Sequence, residues 1–151
     1  MHEASEFYTL KGYQLKNEYE LTESMEDYLE MIYRCAIKDE YARVGDIASR
    51  LNVQPSSASK MIGKLSELEF IKFEKYGIII LTEKGEEVGK YLLWRHDVLH
   101  RFFCLLNHTA DELAQVEQIE HFVNKTTVEN ISLLTEKMRK FYEISDGPYC
   151  E

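Results

Sequence analysis

VGDIASRL (44–51), NVQ (52–54), PSSASKMIGKLSEL (55–68), IKFE (71–74), KYG (75–77) and IIIL (78–81) are the pieces whose reading decides the fold. Val44 to Leu51 predicts a short helix and Asn52-Val53-Gln54 a tight turn. Pro55 sits at the first position of the next helix, where its missing N–H removes no helical hydrogen bond. From Ser56 to Leu68, the residues Ala58, Met61, Ile62, Leu65 and Leu68 share one face, leaving Ser56, Ser57, Ser59, Lys60 and Lys64 outward. Helix, short turn and helix with a polar N-terminal face is the pattern of a DNA-binding helix-turn-helix. Ile71-Lys72-Phe73-Glu74 then alternates apolar and polar as a strand does, Lys75-Tyr76-Gly77 supplies a turn, and Ile78 to Leu81 returns as a β-branched strand. A hairpin placed directly after a helix-turn-helix is a wing. The expected fold is mostly α with this one small β-hairpin: a winged helix-turn-helix domain followed by an all-helical domain.

Upstream, helical spacing of Met25, Tyr28, Leu29, Ile32, Tyr33 and Ala36 predicts a helix starting at Thr22 or Ser24 and broken by Lys38-Asp39-Glu40. Ser24 followed by Asp27 resembles a capping box. Residues 1–21 are read as an arm of uncertain structure. Downstream, Thr82 caps a long helix reaching about Leu106, with His96 and His100 one turn apart. Thr109-Ala110-Asp111-Glu112 matches a capping box for the helix that follows. The last helix, 127–142, carries Val128, Ile131, Leu134, Met138 and Phe141 or Tyr142 as an apolar stripe, which predicts a subunit interface. The expected domains are 22–82 for DNA binding and 83–151 for metal binding and dimerisation.

Composition bounds the function classes. The chain has 151 residues, 44% hydrophobic and 30% charged, as expected of a globular protein. No apolar run approaches the ~18 residues of a membrane span, and residues 1–21 carry no signal-like stretch, so a cytoplasmic location and no membrane partner are expected. Cys35, Cys104 and Cys150 form no C-x-x-C pair, which argues against a zinc knuckle or a redox centre. The net charge of −9 conceals an uneven distribution: residues 42–77 hold Arg43, Arg50, Lys60, Lys64, Lys72 and Lys75 against four acids. An acidic body with one locally basic segment fits a metal-binding body joined to a DNA-binding lobe.

Glu117-Gln118-Ile119-Glu120-His121 places two carboxylates and an imidazole at i, i+3 and i+4, predicted to share one face of a helix. Asp27 and Glu30 form a second i, i+3 acidic pair, and His96 lies in a third helix. Single acids are usually solvated. Acids set among core residues on two helices require partners, and a cation is the economical one. Carboxylates and imidazoles without thiolate suit Mn²⁺ or Fe²⁺; Co²⁺ or Zn²⁺ could bind as well, and shared carboxylates permit two ions side by side. His100 is left open as an outer ligand, and His2 and His108 are read as incidental.

The chain resembles the diphtheria toxin repressor family, and within it the manganese transport regulators. The likeness is carried by Ser24-Met25-Glu26-Asp27-Tyr28, Tyr41-Ala42-Arg43-Val44, Pro55-Ser56-Ser57, Lys60-Met61, Glu74-Lys75-Tyr76, Leu81-Thr82, Arg95-His96 and Val116 to His121. It implies a homodimeric, metal-responsive repressor of metal uptake genes, with a binuclear site where the two domains meet and the ion as co-repressor. By motif position it implies Asp27, Glu30, His96, Glu117, Glu120 and His121 as ligands. Iron-responsive members carry Met and Cys where this chain has Asp27 and Glu117, which favours manganese. It also implies two domains, without the SH3-like third domain of the iron-responsive members. The arm at 1–21 is extra relative to the short manganese regulators. His100 stands where the family often has Glu, and Leu113 where iron-type members have an ancillary-site His.

Expected DNA contacts are Lys60, Lys64 and Lys75 to phosphates, with Tyr76 beside them on the wing, and Gln54, Ser56, Ser57 and Ser59 near base edges. Two rival classes compete. A metal-independent winged-helix regulator sensing an organic ligand has no use for six metal-type side chains. A ferritin-type di-metal oxidase expects paired Glu-x-x-His motifs on a four-helix bundle, and this sequence contains none. No organic cofactor and no enzymatic activity are expected.

Overall fold

The computed structural model describes residues 21–141; residues 1–20 of the expected arm, His2 among them, and Tyr142 and Cys150 lie outside them. Helix α1 (Glu23–Asp39) starts at Thr22, whose hydroxyl oxygen accepts the N–H of Met25 at 3.4 Å. Thr22 rather than Ser24 is therefore the N-cap, and the expected Ser24–Asp27 box does not form. Glu40 ends the helix in the left-handed region (φ 66°), its N–H returning to Ala36 O. Helices α2 (Val44–Arg50) and α3 (Pro55–Glu67) follow, with Pro55 in the first turn of α3 as expected.

Strands β2 (Ile71–Phe73) and β3 (Ile78–Leu81) pair antiparallel around a turn in which Tyr76 (φ 64°) and Gly77 (φ 73°) are both left-handed. The wing is present, and it has a third strand that the sequence did not announce. β1 (Ala42–Arg43) joins β3, giving the order β1-β3-β2 with Ala42 opposite Ile79. A two-residue strand has no period to read. The hairpin and helix-turn-helix together set aside the four-helix-bundle alternative.

Helix α4 (Glu83–Asn107), 25 residues, is the longest among the described residues. Thr82 Oγ1 accepts the N–H of Gly85 at 3.1 Å and donates to the carbonyl of Glu69 at 2.6 Å, locking the helix start to the end of the recognition lobe. A Cβ on Gly85 would collide with the Phe70 carbonyl, so this close approach requires glycine. α1 packs along one side of α4 and α6 (Lys125–Phe141) along another. The core of the N-terminal half gathers Leu29, Ile32, Ile47, Ile62, Leu65, Phe70 and Ile79, all fully buried. Cys35 and Cys104 are buried, as small core residues should be.

Between α4 and α6 lies α5 (Leu113–Ile119), which begins four residues after the expected Thr109 cap. Thr109 donates its hydroxyl proton to the Glu112 carboxylate at 2.7 Å, and Asp111 Oδ1 accepts the N–H of Leu113 at 2.9 Å. Glu112 is tied by side chains, Asn107 included, so the box closes as a loop clasp rather than as a helix start. No helix among the described residues is long and apolar enough to cross a membrane.

Candidate metal centre and nucleic-acid interface

Three elements converge at the junction of the two halves: the first turns of α1, the middle of α4, and the segment after α5. The sequence expectation of one continuous helical face for Glu117, Glu120 and His121 needs correction. α5 ends at Ile119, and Glu120-His121-Phe122 form a 3-10 turn. The chain must turn there because Asn124 opens α6, its side-chain oxygen accepting the N–H of Thr127 at 2.9 Å.

The turn drives Glu120 inward, where it is 1% exposed. Two groups of donors result, with ligand atoms all within 4.8 Å of one another in each: Asp27, Glu120 and His121, and Glu30, His96 and Glu120. Glu120 is common to both. Glu117, by contrast, stays on the rim: its side chain is 58% exposed, and its Oε1 lies 3.7 Å from His96 Nδ1. Five of the six expected residues are therefore drawn together and the sixth stands at their edge. An open cleft of ≈ 420 Å³ reaches this point from solvent, bordered by Met31, Leu51 and Leu113 as well as by the acids.

Electrostatics marks the cluster as under charge stress. Burial raises the Glu30 carboxyl, against the hydrogen bond from Arg34, and the neighbouring Glu120 raises it further. Burial and Glu120 likewise raise Glu117. The hydrogen bond from His96 Nδ1 to Glu120 Oε2, 3.0 Å long, raises His96 and outweighs burial. For His121 burial acts downward, but hydrogen bonds to Asp27 and Glu26 overcome it and push the imidazole up to about 10. Protons and arginines thus hold together a group of acids that would otherwise repel.

Sequence reasoning missed three members of the network. Glu26 Oε2 lies 2.7 Å from His121 Nδ1 and accepts from Arg95 Nη2 at 2.7 Å, while His121 Nε2 lies 3.1 Å from Asp27 Oδ1. Arg34 donates from both Nε and Nη2 to Glu30 Oε1, at 2.9 and 2.7 Å. The available signal was that Glu26, Glu30 and Arg34 follow one another at i, i+4, i+8 along a face that also carries apolar residues. His100, left open as a ligand, accepts the N–H of Glu112 at Nε2 (3.3 Å) and lies 3.5 Å from Asp111, so it fastens the start of α5. His108 caps α4 in the left-handed region.

In the helix-turn-helix, Gln54, Ser56, Ser57, Ser59, Lys60 and Lys64 are all exposed along the start and outer face of α3. Lys75 and Tyr76 project at the wing tip, where Tyr76 is 91% exposed.

Comparison with known proteins bears on both the donor cluster and this surface. Residues 20–79 match the iron dependent repressor N-terminal DNA-binding domain, and residues 82–142 match the iron dependent repressor metal-binding and dimerisation domain. The chain is 41% identical over 126 residues to the HTH-type transcriptional regulator MntR of Bacillus pumilus (strain SAFR-032), covering 83% of this chain and 85% of that one. It is 40% identical over 116 residues to MntR of Bacillus subtilis (strain 168), covering 76% and 82%. Among solved structures it superposes on the manganese regulator SloR with TM-score 0.61 and 30% identity, covering 83% of this chain and 56% of that one. ScaR with bound Zn²⁺ gives TM-score 0.62 at 26% identity, covering 74% and 53%. The chain thus spans a little over half the length of those two structures. With a winged helix, a junctional cluster of metal-type donors and two family domains end to end, the chain belongs to the iron-dependent repressor family, that of the diphtheria toxin repressor, and to its manganese-regulator branch.

Proposed function

We propose that this protein is a cytoplasmic, homodimeric repressor of metal uptake genes that binds operator DNA when Mn²⁺ loads the junction between its two domains, and that it catalyses no reaction. The observation that carries this reading is the sharing of Glu120, a fully buried carboxylate, by two donor groups drawn from both halves of the chain. The donors fit a hard divalent ion: oxygens and imidazole nitrogens, no thiolate, and carboxyls pushed up by burial and by the neighbouring Glu120. Asp27, Glu30, His96, Glu117, Glu120 and His121 would hold it, with room in the sharing of Glu120 for two ions per subunit. Fe²⁺, Co²⁺ and Zn²⁺ fit the same donors less selectively. Bound there, the ion would supply positive charge that cancels the acidic cluster and joins the two domains.

The residues themselves explain why such a junction controls DNA binding. Asp27 and Glu30 lie on α1, which packs against the helix-turn-helix, whereas His96, Glu120 and His121 belong to the helical body. Fixing one set against the other fixes the position of α3. In a dimer, two α3 helices must enter major grooves about 34–36 Å apart, so a fixed spacing favours the operator. A coupling of ~1–3 kcal/mol is enough for such control. The proposed domains are 22–82 and 83–151, in keeping with the two family matches.

The test is DNA binding by the dimer to duplexes selected from a random pool, with metal-free protein and with Mn²⁺, Fe²⁺, Co²⁺ or Zn²⁺ added. Mn²⁺ is expected to increase affinity at least tenfold. Equal affinity of the metal-free and metal-loaded protein for every duplex would overturn the reading.

A further inference from the structure

Two arginines bond the acids of the junction, and they are placed differently; Arg50 also borders the cleft. Arg95 is 3% exposed and held against Glu26, whose side chain is also buried; it is part of the framework. Arg34 stands one turn after Glu30 on α1, with 37% of its side chain exposed against 11% for Glu30. It lines the mouth of the cleft and closes a two-bond fork on Glu30 Oε1. Glu30 is also one of the three donors in the Glu30–His96–Glu120 group. One carboxylate thus serves a potential ligand set and an internal cation.

We propose that Arg34 is a built-in competitor for the metal at Glu30, setting the ion concentration at which the protein loads. This deepens the reading of the junction as a metal centre and rests on it. A guanidinium fork on Oε1 occupies the lone pairs of that oxygen and compensates the negative charge that would otherwise draw a cation to Glu30. The spacing Glu(i)–Arg(i+4) is the favourable orientation on a helix, so the pair forms without help from other elements. Because Arg34 is partly in solvent, it can leave Glu30 and become hydrated without stranding a buried charge. Arg95 cannot do this. The chain therefore carries a cation that stabilises the acidic cluster before loading and is displaced outward during it.

A partly exposed pair is weak, so the effect is a threshold and not a block. Replacing Arg34 by Met, close in length and without charge, is expected to tighten Mn²⁺ binding roughly two- to fivefold. Arg34→Lys keeps a cation on the same helix face and is expected to stay within about twofold of wild type. Both sit on an accessible helix surface, and circular dichroism checks that the fold is kept.

The experiment is calorimetric titration of the intact dimer with Mn²⁺ alone, without DNA, for wild type, Arg34→Met, Arg34→Lys and Glu30→Gln. Tighter binding in Arg34→Met, near-wild-type binding in Arg34→Lys and marked loss in Glu30→Gln is the expected pattern. Unchanged or weaker binding in Arg34→Met overturns the competitor role. So does an equal shift in Arg34→Met and Arg34→Lys, which would reflect a general disturbance of α1. If wild type and Glu30→Gln bind Mn²⁺ alike, or wild type does not bind it, the reading of the junction fails and the competitor role falls with it.

Discussion

Arg95 on α4 and Glu26 on α1 meet through a 2.7 Å hydrogen bond between Nη2 and Oε2, with both side chains less than a tenth exposed. They are 69 residues apart in sequence, and the pair bridges the helical body to the first helix of the DNA-binding lobe. His121 Nδ1 stands 2.7 Å from the same Glu26 oxygen, so one carboxylate oxygen anchors an arginine and orients an imidazole. Arg95 Nε, by contrast, is buried without a hydrogen-bond partner, which makes the guanidinium dependent on Glu26.

Removing Glu26 should therefore be costly before any metal is considered. Glu26→Ala leaves a buried cation unpaired, and the expected loss of stability is about 3–5 kcal/mol. Urea unfolding of the metal-free protein measures it. A loss under about 1 kcal/mol would show that Arg95 reaches water or another partner.

Glu120→Ala is expected to abolish metal-activated DNA binding while the protein stays folded and dimeric. Both donor groups lose their common member at once, whereas Glu117→Ala removes only a rim residue and should weaken the response less. Fluorescence anisotropy on a labelled operator, with and without Mn²⁺, separates the two.

The pH dependence has a definite sign. His121 is raised from 6.5 to about 10, so its contribution to stability is complete below pH 6.5 and is lost as pH rises towards 10. His96 is raised as well and acts in the same direction. The metal-free protein should thus lose stability as pH rises above neutral. Metal binding must displace these protons, so Mn²⁺ affinity should increase over the same interval, with net proton release. Calorimetry in buffers of different ionisation enthalpy counts the protons, and zero release would contradict the assignment of these imidazoles.

Metal choice is expected to depend on Asp27. A carboxylate there is a hard oxygen donor, which suits Mn²⁺, among the weakest binders of the first-row series. Asp27→Met exchanges it for a soft thioether and removes one negative charge. The variant should lose response to Mn²⁺ relative to Fe²⁺ or Co²⁺ in operator binding. Retention of the wild-type ranking would remove Asp27 as the source of selectivity.

Helix α6 leaves Leu133, Leu134 and Phe141 at 63%, 48% and 81% exposure. A face of this kind is expected to lie between subunits, with dimerisation independent of metal because none of the proposed ligands is in α6. Leu134→Glu should shift the protein to monomer in sedimentation equilibrium. A compact wild-type monomer at micromolar concentration would rule the interface out.

The winged helix, the long α4, the polar face of α3 and five of the converging donors were legible in the sequence because each depends on local periodicity. Pro55 at a helix start and Gly77 in a left-handed turn are statements about neighbours along the chain, and backbone geometry converts them directly into direction. Helix starts were less legible. Thr109 and Ser24 satisfied the pattern of a cap, yet the side chains of Asp111 and Thr22 accept the N–H groups at those ends, since several nearby polar groups compete for them. The pairing of charges was decided by packing alone. Nothing local brings Glu26 to Arg95 and His121, or places Glu117 on the rim while Glu120 is buried, or completes the wing with the two residues of β1. Those outcomes follow from the angle at which α1, α4 and the 3-10 turn cross, and that angle is set by the apolar faces they bury. The chain thus determines by itself which helices exist and which donors each one carries. Tertiary structure decides which donors meet, which are held by arginine, and which remain free to accept an ion.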